Sequence, residues 1–125
     1  MKEIVILIMV LMLVFIPNTL FKSYLKKSGN EIINIINELK SKLEEGVEVN
    51  TKDAKRLKEE FLTKEKIWIL IVDHDMLDEI EYEIESCVAM YSKENMRDFM
   101  SSANRLSDEI EDLAKREEIS FANIL

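Results

Sequence analysis

The residues with the most chemistry in this chain lie between Trp68 and Glu85, in the stretch WILIVDHDMLDEIEYEIE. It holds the only Trp and the only His of the 125 residues, with seven acids and no Lys or Arg. His74 and Asp78 stand four apart, so on a helix they share a face and have the spacing of paired metal ligands. Asp75 and Glu79 form a second such pair, suited to a hard cation. His74, Asp75, Asp78 and Glu79 are therefore the candidate metal ligands. An EF-hand does not fit them: counted from Asp73, the sixth position is Asp78 rather than Gly and the twelfth is Ile84 rather than Glu. A zinc site built on paired histidines needs more than one His. The competing reading is local. Asp73 and Asp75 at a helix start would cap it and meet its positive end, with His74 packed at the turn.

Other chemistries have less to stand on. A Ser-His-Asp or Cys-His arrangement would have to use His74, and Cys87 lies on an apolar stripe, where a thiol is inert. Trp68 also sits at a stripe position and reads as core. With Gly29 and Gly46 as the only glycines, no glycine-rich phosphate loop can form. No catalytic residue and no cofactor is expected, and the chain reads as non-enzymatic.

The elements that carry these residues are helices. Two glycines and one proline leave little room for sheet or long loops. Ser28 with Glu31 three residues on has the form of a capping box. The helix after it, near 30–45, places Ile32, Ile36, Leu39 and Leu43 on one stripe that Ile33 and Ile35 widen. Gly46 suits a left-handed residue just past its end. Asn50 or Thr51 caps a second helix, near 51–71, with the stripe Ala54, Leu57, Phe61, Lys64, Trp68 and Ile71, in which Lys64 is a lapse. The next positions of that register are Asp75 and Asp78, whereas the apolar register restarts at Leu77, Ile80, Ile84, Cys87 and Tyr91. The reset predicts a turn near Val72 to Asp75 and a third helix near 74–91. The alternative is one helix over 51–91. A last helix, near 94–117, carries Met96, Phe99, Ala103, Leu106, Ile110 and Leu113, and Ile119, Phe121, Ile124 and Leu125 should dock on the bundle.

Ahead of these helices, Ile4 to Ile16 is unbroken and apolar, and Pro17, Asn18, Thr19, Leu20 and Phe21 extend it towards Lys22, Lys26 and Lys27. A bilayer core takes about 20 such residues. Counted from Ile4 to Phe21 the run approaches that length. A cleaved signal peptide would need a small-residue cleavage site, and no Ala or Gly lies before Lys27. A soluble core helix would be apolar on one face only. An uncleaved single span, a signal anchor, is the expectation, with residues 1–27 as transmembrane anchor and basic flank and 28–125 as an acidic helical bundle. The fold class expected is all-α, an N-terminal transmembrane helix followed by a small antiparallel helical bundle with coiled-coil-like stripes.

Charge separates the two parts. Residues 1–27 carry four lysines against one acid, and the remainder carries thirteen Lys or Arg against twenty-four Asp or Glu. An acidic domain repels nucleic-acid phosphates, so no nucleic acid is expected as a partner. It also repels anionic head groups, while the flanking lysines attract them. The expected partners are the lipid bilayer, through the first helix, and a membrane protein or a second copy of the chain. The lysine flank, read by the positive-inside rule, places the bundle in the cytoplasm; a short N-terminal signal anchor instead exports the domain behind it.

The order of features, an N-terminal span, Trp68, Val72-Asp73-His74, Asp78-Glu79-Ile80-Glu81 and a final Ser120-Phe121-Ala122-Asn123-Ile124-Leu125, resembles a family of small single-span helical proteins from spore-forming bacteria catalogued as a domain of unknown function. The resemblance covers nearly the whole chain. It implies a helical domain outside the cytoplasm, in the cell membrane, and supplies no activity and no catalytic residues.

Overall fold

A computed structural model describes the backbone of residues 1–46 and 48–124, and the side chains of these except 14–19, 114 and 116–124. The described residues form four helices and no strand: α1 (Lys2–Glu44), α2 (Thr51–Ile71), α3 (His74–Met90) and α4 (Met96–Ile124). α1 packs on α2 and α4, and α3 packs on α2 and α4, which closes a ring. Cross-contacts fix the directions. Lys42 reaches Asp53 at 3.2 Å while Lys64 reaches Glu31 at 2.9 Å, so α2 runs back along α1. Lys58–Glu85 at 2.8 Å and Arg105–Glu83 at 3.6 Å set α3 and α4, and Lys40 donates to Asn104 at 2.6 Å to join α4 to α1. The result is an up-down-up-down four-helix bundle, the topology that short connections favour.

The stripes become the core. Ile32, Ile36, Leu57, Phe61, Trp68, Ile80, Ile84, Phe99, Leu106 and Leu113 are buried, with Phe61 edge-on to Trp68 at 5.9 Å. Met96 is exposed, because α4 only begins there, and Ile71 at the end of α2 is only partly buried. The helix ends follow their chemistry. Gly46 takes a positive φ of 72° as α1 ends, where a side chain would be strained. The Asn50 side chain accepts from the Lys52 N–H at 3.0 Å. At the expected turn Val72 is extended, and Asp73 caps α3 by accepting from the Asp75 N–H at 3.4 Å. The single 51–91 helix is excluded.

α1 differs from expectation. No separate helix begins at residue 30, and Ser28 and Glu31 make no capping box. The helix is continuous from Lys2, Leu25 is already buried in the core, and Gly29 lies inside the helix. The reason is tertiary. A Cβ on Gly29 would stand 3.0 Å from Ile110 Cγ2, so a glycine lets α4 approach there. Ser28 turns inward and accepts a hydrogen bond from Trp68 Nε1 at 2.8 Å. α4 likewise runs on to Ile124 instead of ending near 117. The expected docking of Ile119, Phe121, Ile124 and Leu125 lies outside the described residues, as does part of the expected span from Ile4 to Phe21. Among the described residues no helix is long and apolar enough to cross a membrane.

Candidate functional site

His74 opens α3, and Asp75, Asp78 and Glu79 follow on its first two turns; all four side chains are exposed. Each residue of a helix turns about 100° from the last, so the His74–Asp78 pair and the Asp75–Glu79 pair point in different directions. Among the described residues no three His, Cys, Asp or Glu side chains come together to hold a metal ion. Asp73 commits one carboxylate oxygen to its cap.

The acids of α3 act instead on carboxylates of the neighbouring helices. Glu65 on α2 is held above the usual carboxylate range, first by burial and then by the charges of Glu81 and Asp78. Glu109 on α4 is raised in the same way, by burial and then by Glu83 and Glu79. Each has one oxygen buried without a hydrogen-bond partner. Beside Glu109, a cavity of about 60 Å³ is lined by Glu79, Asp112, Met76 and Ile80. Glu83 is itself buried, and Arg105 at 3.6 Å offsets its charge. The sequence signal for these groups is weak, since all have the spacing of outer-face acids.

The lapse at Lys64 is a buried ion-pair site. The Lys64 side chain is 7 % exposed, and its Nζ contacts Glu31 at 2.9 Å and Glu60 at 3.0 Å. Burial alone would push the amine down, but hydrogen bonds and charge from Glu31 and Glu60 outweigh it and hold the pKa raised. Glu31 is lowered, chiefly by the Lys64 hydrogen bond. One turn further along α2, Trp68 donates to Ser28, whose hydroxyl in turn donates to the Tyr24 carbonyl at 2.6 Å. These contacts bind the root of the N-terminal arm to the bundle. Cys87 is buried and its thiol is pushed up to about 12, by burial first and then by the Glu83 charge, so it is no nucleophile.

The arm itself is the largest chemical anomaly. Every side chain from Ile4 to Leu13 is exposed, between 45 % and 70 %. Ten consecutive helical residues cover all faces of a helix, so no single bundle face could bury them. The arm belongs to the same helix as Ser28, Glu31 and the core stripe.

A family model with the description "Domain of unknown function (DUF4363)" matches residues 19–124. No curated protein and no solved structure matches the chain.

Proposed function

The chain belongs to the DUF4363 family, a domain of unknown function, and on that premise we propose a membrane-anchored, non-enzymatic interaction or accessory module. The observation that carries the reading is the arm: ten successive apolar side chains exposed on all sides of a helix. Soluble monomers rarely expose a contiguous apolar patch above a few hundred Å², and lipid is the solvent that suits apolarity all round. Ile4 to Phe21, at about 1.5 Å per residue, gives a rod of about 27 Å, close to the thickness of a hydrocarbon core. The acidic bundle then stands off the head groups, on the outer side of the cell membrane as the exporting layout of a signal anchor favours. Its partner is a membrane protein or a second copy, with the charged outer faces supplying encounter rate and specificity.

Flotation of the full chain with phosphatidylcholine vesicles, with and without residues 1–21, tests the anchor. The full chain should float and the shortened one should not. A full chain that stays dispersed and monomeric in detergent-free buffer overturns the anchor. Crosslinking in native membranes tests the interaction role, and recovery of the monomer alone overturns it.

A further inference from the structure

We propose that α1 pairs, in parallel and in register, with α1 of a second copy in the same membrane, along the face it turns away from its own bundle. Ser23, Lys27, Asn30, Asn34, Asn37 and Ser41 are all exposed on α1. They step by four and three residues, the spacing of the buried stripe Ile32, Ile36, Leu39 and Leu43. At about 100° per residue the two stripes lie on opposite sides of the helix. The outer stripe carries no carboxylate, whereas the other helices turn acids outward: Glu59 on α2, Asp75 on α3 and Asp108 on α4. An amide both donates and accepts. An Asn that meets the same Asn of a second copy is therefore satisfied on both sides.

Charge beside the stripe selects a parallel partner. With Lys27, Asn34 and Ser41 at heptad position a and Ser23, Asn30 and Asn37 at d, Lys26 and Lys40 fall at g and Glu31, Glu38 and Glu45 at e. Charged g and e residues set orientation and partner choice in paired helices. In a parallel pair a g residue faces the e residue five positions further along the other helix. That sets Lys26 against the second copy's Glu31, and Lys40 against its Glu45, twice across a two-fold axis. An antiparallel pair would set lysine against lysine and glutamate against glutamate. Glu31 gives one oxygen to Lys64 and stays 49 % exposed, and Glu45 is exposed. Ile33, the g residue between the two lysines, packs on its own core.

The same register runs into the arm through Leu20, Leu13, Met9 and Ile6, all exposed. This step rests on the proposed anchoring. Two copies inserted in one membrane hold their arms parallel and at one height, the orientation the charges select. In lipid, packing of the arms supplies the attraction. The Asn stripe beyond them fixes register and a two-stranded state, as Asn at seam positions does in coiled coils. Lys27 faces its own copy, but Glu31 one turn on is close enough to share its charge, and a single lysine at an a position serves the same specificity.

The test is disulfide trapping of the full chain in phosphatidylcholine vesicles, with Cys87→Ala to remove the native thiol. Asn34→Cys should oxidise to a linked dimer under copper phenanthroline. Tyr82→Cys should stay monomeric; it is 70 % exposed, at about the same height, on the diagonally opposite α3. Lys40→Glu in the Asn34→Cys chain sets glutamate against glutamate at two symmetric places. It should raise the protein-to-lipid ratio at half linkage about tenfold. Glu45→Lys added to that chain restores opposite charges and should bring the ratio back. Equal linkage at 34 and 82, no linkage at 34, or no rescue by Glu45→Lys overturns the proposal. Flotation of the same vesicles separates the failures. A chain that does not float sinks the anchoring and the parallel pairing with it. One that floats and links through Tyr82→Cys but not through Asn34→Cys keeps the anchored interaction module and sinks the α1 seam alone.

Discussion

Ser28→Ala isolates the contact that fastens the arm to the bundle. Trp68 is wholly buried and its indole N–H donates to Ser28 Oγ at 2.8 Å. Alanine removes a neutral hydrogen bond, a net loss of about 1 kcal/mol, and leaves a buried donor unpaired, which costs roughly 1–3 kcal/mol. Two effects oppose this. Alanine is a better helix former than serine by about 0.5 kcal/mol, and the Ser28 hydroxyl bonds back to the Tyr24 carbonyl, a pattern that slightly weakens helices. The balance is a destabilisation of about 2 kcal/mol. Thermal melts of the full chain in neutral detergent, followed by far-ultraviolet circular dichroism, measure it. A double-mutant cycle with Trp68→Phe isolates the pair. Phenylalanine brings no donor, so Ser28→Ala in that background should be neutral or slightly stabilising. A coupling energy below about 0.3 kcal/mol would refute the reasoning, because the two side chains would then be independent.

Lys64 should respond asymmetrically. Lys64→Met leaves Glu31 and Glu60, which are 49 % and 44 % exposed and can hydrate, so the cost should stay below about 1 kcal/mol. Glu31→Gln with Glu60→Gln strands a buried ammonium and should cost about 3 kcal/mol in the same melts; equal costs would contradict this. The pH dependence has a definite sign. Glu65 and Glu109 are raised above 4.5, so the folded state is penalised while they are ionised and gains stability as pH falls from neutral towards 4.5. Glu31 is lowered, so its stabilisation is present above 4.5 and is lost as pH falls below that value through its folded pKa. The melting temperature should peak on the mildly acid side of neutrality, and Glu65→Gln with Glu109→Gln should flatten the rise; an unchanged slope would assign it to net charge instead. Cys87, with its thiol pushed up to about 12, should react with iodoacetamide at pH 8 only as fast as the bundle opens, so prompt labelling of the folded chain would contradict its burial.

Stripe register carries most of the fold. The shift from Trp68–Ile71 to Leu77–Ile80 marks the turn at Val72 and Asp73 without any glycine or proline, because a helix cannot change its buried face without breaking. Ser28-Gly29-Asn30-Glu31 misleads for a complementary reason. Its local pattern is that of a helix start, but serine there is needed as an acceptor for an indole forty residues away, and glycine is needed to admit Ile110. Neither partner is visible from local spacing. Periodicity assigns one buried face per helix, which leaves Glu65 and Glu109 on the solvated side. In a closed ring each helix touches two neighbours, and the positions flanking its stripe become half-buried against both. The four candidate ligands at the start of α3 share a short stretch of sequence, but helical rotation separates their directions. The cavity between α1 and α4 is illegible in the sequence, since Lys115 is far from Lys22 and Lys26 along the chain and meets them only when α4 closes on α1.

Continuity of α1 gives the proposed anchor a mechanical consequence. A tether of glycine or serine would let a domain wander, and binding would then have to restrict that freedom. Here the arm and the core stripe share one helix, and α2 grips that helix at two successive levels, through Lys64 to Glu31 and through Trp68 to Ser28. The height and rotation of the bundle are thus set by the same residues that set the direction of the arm. If the arm lies in lipid, the turn at Val72 and Asp73, which α2 brings back to the level of Leu25, faces the head groups, and the loop at Gly46 faces away. A partner in the same membrane would meet a bundle already oriented, and the entropy of aligning it would be carried by folding rather than by binding. For an anchored chain, that would be the physical advantage of running one helix through both parts.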